Sequence, residues 1–248
     1  MMNLSIIIPT IRPHFWERIY NSVSKSCKRY QWEIIFVGPF KNDELLNKHK
    51  NIKYISSYRC PSACFHEGVL NSSYSHLYFT SDDSVLYENA LDTCIDEYIQ
   101  KCRSQDVINC RYREGDGFAK EEFKMDYWLA KTYPNDYRLK FINPEWSLAI
   151  QTIVEKNFFV SFGGFDCQFE FSNHAHADFA FRLQNFGGSV HHSSCEIANL
   201  DHLNVYEGDH KPVHDAQLTH DLQIFFYIWN NHINRTAIDF NCTNKRCN

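Results

Sequence analysis

Two adjacent carboxylates, Asp82 and Asp83, follow an apolar run at residues 77–80. The run predicts a buried strand, and open α/β sheets bind ligands beyond the carboxyl ends of their strands. Two neighbouring carboxylates repel each other unless a divalent cation or the hydrogen-bond donors of a ligand neutralise them. The pair therefore predicts a metal and diphosphate site. An alternative is that Ser81, Asp82 or Asp83 caps a helix that starts near Glu88.

Other residues with metal-binding chemistry are numerous, with 10 cysteines and 13 histidines among 248 residues. No C-x-x-C pair occurs, so we expect scattered buried thiols rather than a zinc site or a disulfide framework. The pairs His214-Asp215 and His220-Asp221 are superficially those of an HD-type phosphohydrolase. That chemistry belongs to a helical bundle, whereas this chain begins with strands, so the motif alone carries little weight.

Composition limits the class of partner. The net charge of -5 and the sequence pI of about 6.2 exclude a global basic field, so nucleic acid is not an expected partner. The first residues lack the features of a signal peptide, and no apolar run reaches the length of about 18 residues that a membrane-spanning helix needs. We expect a cytoplasmic protein without a transmembrane segment.

Strand and helix signals alternate through the first hundred residues. Strands are predicted at 4–9, 32–37, 52–56 and 77–80, and helices at 13–27, 42–50, 61–72 and from about 88. Continuous β-branched runs joined by helices are typical of parallel strands that are covered on both faces. The pattern predicts an α/β fold with a doubly wound, mostly parallel sheet.

The later pattern is less regular. Strands are predicted at 107–112, 146–152 and 197–200, helices at 153–162, 174–186 and 213–231, and an irregular excursion at 113–144. No linker or repeat interrupts the chain. We therefore expect one domain over residues 1–232, with a nucleotide-binding half at about 1–100 and an acceptor-binding half at about 101–232. Residues 233–248 are expected to form a poorly ordered tail.

Several segments in order resemble one enzyme family. They are residues 5–10 (SIIIPT), 33–39 (EIIFVGP), 61–68 (PSACFHEG), 81–83 (SDD), 163–166 (GGFD) and 178–183 (DFAFRL). In this order and approximate spacing, the chain resembles the GT-A fold of family two glycosyltransferases, a Rossmann-like single domain with helices around a mostly parallel sheet. The resemblance implies an inverting transferase that moves a sugar from a nucleotide-diphosphate donor to an acceptor hydroxyl in glycan or polysaccharide biosynthesis.

The resemblance also implies roles for the donor site. Pro9 and Thr10 would line the nucleoside pocket, and Asp82 would contact the ribose or assist the metal. Asp83 would bind Mn²⁺ or Mg²⁺, which prefer hard carboxylate and phosphate oxygens. Relatives complete the metal or phosphate site with a histidine after the last core strand, for which His210 is the first choice and His202 the alternative.

Two donor-site positions depart from the family pattern. Many relatives carry an aspartate that reads the base after the second strand, where this chain has Gly38-Pro39. A basic residue often found in the helix after the third strand is missing, which leaves Arg59 as the nearest candidate. The identity of the nucleotide base is therefore open.

The acceptor half offers two candidates for the catalytic base. Asp178 is preferred, because a partly buried carboxylate can accept the proton of the acceptor hydroxyl. His176 is the alternative, since it occupies the family's usual position for the catalytic acid. Asp178 also has a structural interpretation as an ion-pair partner of Arg182 one helical turn later. Phe165 and Asp166 are expected to border a glycan acceptor.

Two other classes of function remain open. A sugar nucleotidyltransferase has a similar strand and helix order, but it carries a glycine-rich phosphate loop after the first strand, and residues 10–14 (TIRPH) contain no glycine. A non-catalytic carbohydrate-binding domain would keep the fold without a working site. The presence of both Asp82 and Asp83 argues against the second class.

Overall fold

The computed structural model describes residues 2–115, 123–126, 146–201, 209 and 211–240. The strands are β1 (Asn3–Pro9), β2 (Gln31–Gly38), β3 (Ile52–Ser56), β4 (His76–Phe79), β5 (Ser84–Leu86), β6 (Val107–Gly115), β7 (Phe123–Asp126), β8 (Thr152–Glu155) and β9 (Val190–Asp201). The helices are α1 (Trp16–Ser26), α2 (Asp43–Lys48), α3 (Pro61–Leu70), α4 (Ala90–Lys101), α5 (Lys156–Ser161), α6 (Ser172–Asn185), α7 (Lys211–Ala216) and α8 (Leu222–Asn231). A π-helix, Gln217–Asp221, joins α7 to α8.

The described strands form one sheet in the order β3-β2-β1-β4-β8-β6-β9-β5, with β7 paired to β6. Strands β3, β2, β1 and β4 are parallel, so their carboxyl ends meet at one edge. Beyond β4 the sheet is mixed, because β8 runs antiparallel to both β4 and β6. The predicted α/β fold is confirmed. The first four strands are all parallel, and in the mixed part of the sheet β6 and β9 also pair in parallel.

Two apolar cores lie on opposite faces of this sheet. Ile6 and Ile8 of β1 pack with residues of α1 and α4, whereas Ile7 packs with residues of α3, α6 and α8. Alternate residues of a strand point to opposite faces, and burial of an isoleucine side chain contributes about 1.5–3 kcal/mol. Both cores therefore hold β1 rigidly, and β1 in turn positions the residues that follow it.

The sequence prediction was wrong around residue 150. The predicted strand at 146–152 is irregular, and β8 begins only at Thr152 and continues into the segment that was predicted to be helical. Short apolar runs do not distinguish a strand from a buried helix, and here the pairing with β4 and β6 decides the outcome. The predicted excursion at 113–144 lies largely outside the described residues.

The tail prediction does not hold for residues 233–240, which pack on the turn at Gly163-Gly164. The Ile238 amide donates to the Phe162 carbonyl at 3.2 Å. Both glycines have positive φ, and a Cβ at Gly163 would lie 2.0 Å from the Ile238 carbonyl oxygen. The turn therefore needs glycine both for its backbone conformation and for the close approach of this segment.

Gly38, at the end of β2, approaches the backbone of Thr10 closely. A Cβ at Gly38 would lie 1.7 Å from the Thr10 carbonyl oxygen. No side chain fits at this position without moving the end of β1. The glycine in place of the family's base-reading aspartate thus follows from a direct contact between two strand ends.

We expect Gly38→Ala to cost at least the roughly 1–3 kcal/mol that overpacking costs in rigid cores, because backbone atoms must move. Gly187→Ala is the control, since its φ is +91° but nothing lies within 4 Å of the point where its Cβ would be. That control should lose only the roughly 1–2 kcal/mol of left-handed backbone strain. Urea unfolding of both variants measures the difference, and equal losses would contradict the close approach at Gly38.

Candidate functional site

The hydroxyl of Thr10 organises the carboxyl edge of the parallel strands. Thr10 directly follows β1, and its Oγ1 accepts hydrogen bonds from the Arg12 amide and from Trp16 Nε1, both at 3.1 Å. The same hydroxyl donates to Asp82 Oδ2 at 2.6 Å. Two accepted bonds and one donated bond use the full capacity of a hydroxyl. Thr10 is therefore a fixed connection between the β1 and β4 ends.

Arg12 is the cation that faces the two acidic residues. Its Nη2 donates to Asp82 Oδ1 and lies 3.5 Å from Asp83 Oδ2. Burial raises the pKa of Asp82, the charge of Arg12 opposes this rise, and Asp83 adds to it. Burial lowers the pKa of Arg12, but attraction to Asp82 and Asp83 outweighs it, so the pKa is raised overall. The buried guanidinium of Arg12 thus compensates part of the negative charge of Asp82 and Asp83, for which the sequence predicted a metal or a ligand.

Asp83 follows in the same turn, where the Ser81 hydroxyl donates to its Oδ1. The alternative that these acids cap a helix is wrong. Strand β5 begins at Ser84, directly after the pair, and α4 begins only at Ala90 after Asn89, which has a φ of +59°. Both carboxylates are buried at 2% exposure and lie in a turn between two strands.

The acidic pair alone is an incomplete metal site. Within the part of the chain that the structure describes, no group of three or more His, Cys, Asp or Glu side chains could hold a metal ion. Carboxylate oxygens suit Mn²⁺ and Mg²⁺, and those ions commonly take further ligands from substrate phosphates. The donor set therefore fits a metal that binds together with a diphosphate. His210 and His202 lie outside the described residues.

The other predicted donor residues lie at the same edge or close to it. Pro9 is the last residue of β1, and Arg59 follows β3. The Arg59 Nη1 lies 3.2 Å from Glu67 Oε1, and its amide donates to Ser57 Oγ at 3.3 Å. Arg59 is thus tied to α3 and to the loop after β3.

Asp178 lies in a closed ionic cluster. One of its oxygens accepts from Arg182 Nε at 2.7 Å, and the other accepts from Arg235 Nη1 at 2.8 Å and Trp229 Nε1 at 3.2 Å. Its side chain is fully buried. Both oxygens of this carboxylate therefore already accept hydrogen bonds from cationic side chains. The structural interpretation of Asp178 as a partner of Arg182 agrees with this geometry.

Asp166 belongs to the same ionic cluster. Arg235 bridges it to Asp178, donating through Nη2 to Asp166 and through Nη1 to Asp178. Phe165 is 1% exposed, and its ring packs among Phe65, Phe79 and Phe159. The ring therefore fills the core beneath the turn, where its burial leaves no face exposed to the glycan acceptor that it was expected to border.

His176 lies against the same aromatic group, with its ring centroid 4.3 Å from that of Phe165. Its Nδ1 lies 3.2 Å from the Ala149 carbonyl oxygen, which can only accept, so Nδ1 carries the proton in the neutral ring. Nε2 is then the acceptor nitrogen. Burial lowers the pKa of His176 to about 4, which keeps the imidazole neutral near pH 7.

Sequence reasoning missed two cations of the site, Arg12 and Arg235. Arg12 directly precedes Pro13 after the first strand, and Arg235 lies in the segment expected to be a loose tail. The missed signal at Arg12 is that proline restricts the preceding residue to extended conformations and so fixes its direction. We find no comparable local signal at Arg235.

The thiol prediction needs a correction at Cys167, which is disulfide-bonded. The free thiols among the described residues are those of Cys27, Cys60, Cys64, Cys94, Cys102, Cys110 and Cys195. The expectation of scattered buried thiols therefore holds at Cys27, Cys64, Cys94 and Cys110. The free thiols of Cys60, Cys102 and Cys195 are only partly buried, and Cys167 has no free thiol.

No protein-family model and no curated protein matches the chain. The crystal structure of S. aureus TarS 1–349 matches it with a TM-score of 0.57 and 14% identity, over 80% of this chain and 60% of that one. The chain therefore has a glycosyltransferase-like fold. The same TarS fragment in complex with UDP gives a TM-score of 0.57 at 13% identity over equal shares. The longer TarS structure gives 0.57 at 14%, over 80% of this chain and 36% of that chain.

This chain thus spans less than two thirds of each TarS structure. The identity is low, so the likeness concerns the fold. None of the described helices is long and apolar enough to cross a membrane.

Buried histidines make the stability of the fold sensitive to acid. Burial lowers the pKa of His66 to about 3 and those of His174 and His176 to about 4, from an ordinary value of 6.5. Below pH 6.5 these histidines bind protons in the unfolded chain but stay neutral in the folded chain. The free energy of unfolding should therefore fall between pH 6.5 and 4, by about 1.4 kcal/mol per pH unit for each histidine.

Urea unfolding at a series of pH values checks this prediction. His174→Phe removes one titrating ring from an aromatic environment and should reduce the slope by about one third of the contribution of the three histidines. An unchanged slope in this variant would show that His174 does not carry the expected share.

Proposed function

We propose that the chain is a glycosyltransferase that moves a sugar from a nucleotide-diphosphate donor to an acceptor hydroxyl. The observation that carries the proposal is the hydrogen-bonded group of Thr10, Arg12, Asp82 and Asp83 at the carboxyl edge of the parallel strands. Ligands of open α/β sheets bind at this edge. The glycosyltransferase-like fold and the UDP complex of a structural neighbour support the same class of donor.

The nucleoside would lie against Pro9 and Thr10, with Asp82 facing the ribose. Gly38 leaves no room for a side chain that reads the base, as its contact with Thr10 requires. Two aromatic residues follow the neighbouring strands, Phe40 at 55% exposure and Tyr58 at 83%. Aromatic stacking accepts any base, because every base has a π face. We infer that the donor base is held by stacking more than by specific hydrogen bonds.

A divalent ion, Mn²⁺ or Mg²⁺, would be held by Asp83 together with the diphosphate oxygens. The chemistry it supplies is relief of negative charge on the departing diphosphate. Asp82 is committed to Thr10 and Arg12, so its role is to fix the geometry of the turn. His210 remains a prediction as a further ligand.

For the base we favour His176 over Asp178. The Nε2 of His176 is the ring nitrogen that can accept a proton, and the bound substrates would have to stabilise the imidazolium form that burial disfavours. Both oxygens of Asp178 already accept bonds from guanidinium groups. In a single displacement, the acceptor hydroxyl would give its proton to Nε2 while its oxygen attacks the anomeric carbon. The bond from that carbon to the diphosphate oxygen would break, the nucleoside diphosphate would leave, and the configuration would invert. A glycan hydroxyl is the proposed acceptor, and Asp166 is proposed to border it.

The metal assignment predicts that a nucleoside diphosphate binds more tightly with Mn²⁺ and that Asp83→Ala removes this gain. Asp83→Asn is the matched control for size, because it keeps an oxygen ligand but loses the charge. Calorimetric titration of UDP with and without Mn²⁺ measures both effects. If Mn²⁺ strengthens binding equally in Asp83→Ala and in the unchanged protein, the metal is not held by Asp83.

The base assignment predicts that His176→Ala lowers transfer by roughly 10²–10⁴ with donor binding retained. Asp178→Asn should act mainly on stability, because it removes the charge that faces Arg182 and Arg235. Release of UDP from a panel of UDP-sugars, followed beside urea unfolding, separates the two effects. If a folded Asp178→Asn variant loses turnover while His176→Ala keeps it, then Asp178 is the base.

A non-catalytic carbohydrate-binding domain is the second candidate, and one observation favours it. The family's acid position carries His176, and the nearby carboxylate of Asp178 is held in an ionic cluster. Donor binding without turnover for any of the sugars, in the unchanged protein, would support this candidate. A sugar nucleotidyltransferase has no comparable observation in its favour.

A further inference from the structure

We propose that Arg12 is a diphosphate-binding residue that allows the donor to bind without a divalent metal. The proposal rests on the proposed function, because it assumes that a nucleoside diphosphate occupies this edge of the sheet. It extends that function by assigning a role to a residue outside the segments that carry the family resemblance. The role follows from charge, burial and hydrogen-bonding capacity.

The local charge balance makes a protein cation necessary. Asp82 and Asp83 are both 2% exposed, and Arg12 contacts both of them. Asp209 adds a further carboxylate 3.9 Å from Arg12 Nε. A diphosphate brings more negative charge to a place where acids already outnumber this cation. It binds here only if a positive group contacts the phosphates, and Arg12 is already present to do so.

The guanidinium retains unused donors. Nη2 serves the two aspartates, whereas the buried Nε has no hydrogen-bond partner among the described residues. A buried donor left without a partner costs about 1–3 kcal/mol, and a phosphate oxygen would remove that cost. Guanidinium groups also match phosphate geometry with two parallel donors, which a single ammonium cannot do.

The backbone and a neighbouring ring hold Arg12 in place. Its amide donates to Thr10 Oγ1, and Pro13 keeps its backbone out of the helical region, at φ −120° and ψ 72°. Its guanidinium carbon lies 5.3 Å from the centroid of the Phe15 ring. Arg12 is therefore held at the end of β1 before any ligand binds, which reduces the entropy lost on binding.

Two ligands and four proteins test the proposal. UDP and inorganic pyrophosphate are titrated by calorimetry, in Mn²⁺ and in EDTA, into the unchanged protein, Arg12→Met, Arg12→Lys and Arg29→Met. Arg29 is the matched control, because it also faces two aspartates, Asp92 and Asp96, but is exposed on the side of α1 and α4. Pyrophosphate reports on the phosphate contacts independently of the base.

In EDTA, the unchanged protein and Arg29→Met should bind both ligands, and Arg12→Met should bind them roughly 10- to 100-fold more weakly. Arg12→Lys should lie between them, and it serves as the decisive variant if Arg12→Met does not fold. Mn²⁺ should also raise the melting temperature of Arg12→Met more than that of the unchanged protein, because the exposed acidic pair then binds the ion.

Equal UDP and pyrophosphate affinities in EDTA for the unchanged protein and the folded Arg12 variants would overturn the role of Arg12 and leave the proposed function standing. If the unchanged protein binds UDP only with Mn²⁺, the metal-independent contact is wrong while nucleotide binding stands. If it binds neither ligand under either condition, the proposed donor site is wrong, and this inference falls with it.

Discussion

The burial of two adjacent carboxylates at the end of β4 is the constraint on which the arrangement of the parallel strand ends depends. A charged group removed from water is expensive unless it is paired and hydrogen-bonded. Thr10 and Arg12 satisfy Asp82 from the end of β1, and Trp16 holds Thr10 from α1. Loss of one partner from a buried ion pair typically costs about 3–5 kcal/mol, so these contacts fix the relative positions of the strand ends.

Two further buried carboxylates, Asp166 and Asp178, are also neutralised by cations, but in a closed cluster. Asp166 and Asp178 share Arg235, and Arg182 closes the cluster from within α6. This network ties the Gly163-Gly164 turn to the segment after α8. The donor-side cation keeps a donor group without a partner in the described structure, whereas the oxygens of Asp178 are all engaged. The first arrangement suits the binding of an anion, and the second suits a rigid scaffold.

The sequence predicts those features of the structure that depend on a local pattern of residues, such as the positions of the strands. Short runs rich in apolar and aromatic residues located the first four strands within a residue or two at each end, and the acidic pair lies at the predicted strand end. The sequence did not reveal the partners, because they are distant along the chain. Arg12 and Asp82 are separated by 70 positions, and Arg235 lies 57 from Asp178 and 69 from Asp166. Only the fold brings such groups together, and their spacing along the sequence does not indicate that they are in contact.

In the proposed donor site, contacts to the phosphates and contacts to the base differ in how the structure supports them. In the proposed donor site, the positive charge that would face a diphosphate comes from Arg12, a side chain that also pairs with the buried carboxylates of Asp82 and Asp83. Base recognition has no such support, since the close contact of Gly38 with Thr10 excludes a side chain at the end of β2. Under the proposed function, the structural requirement at the end of β1 would therefore favour phosphate binding, while the requirement at the end of β2 removes a side chain that could read the base.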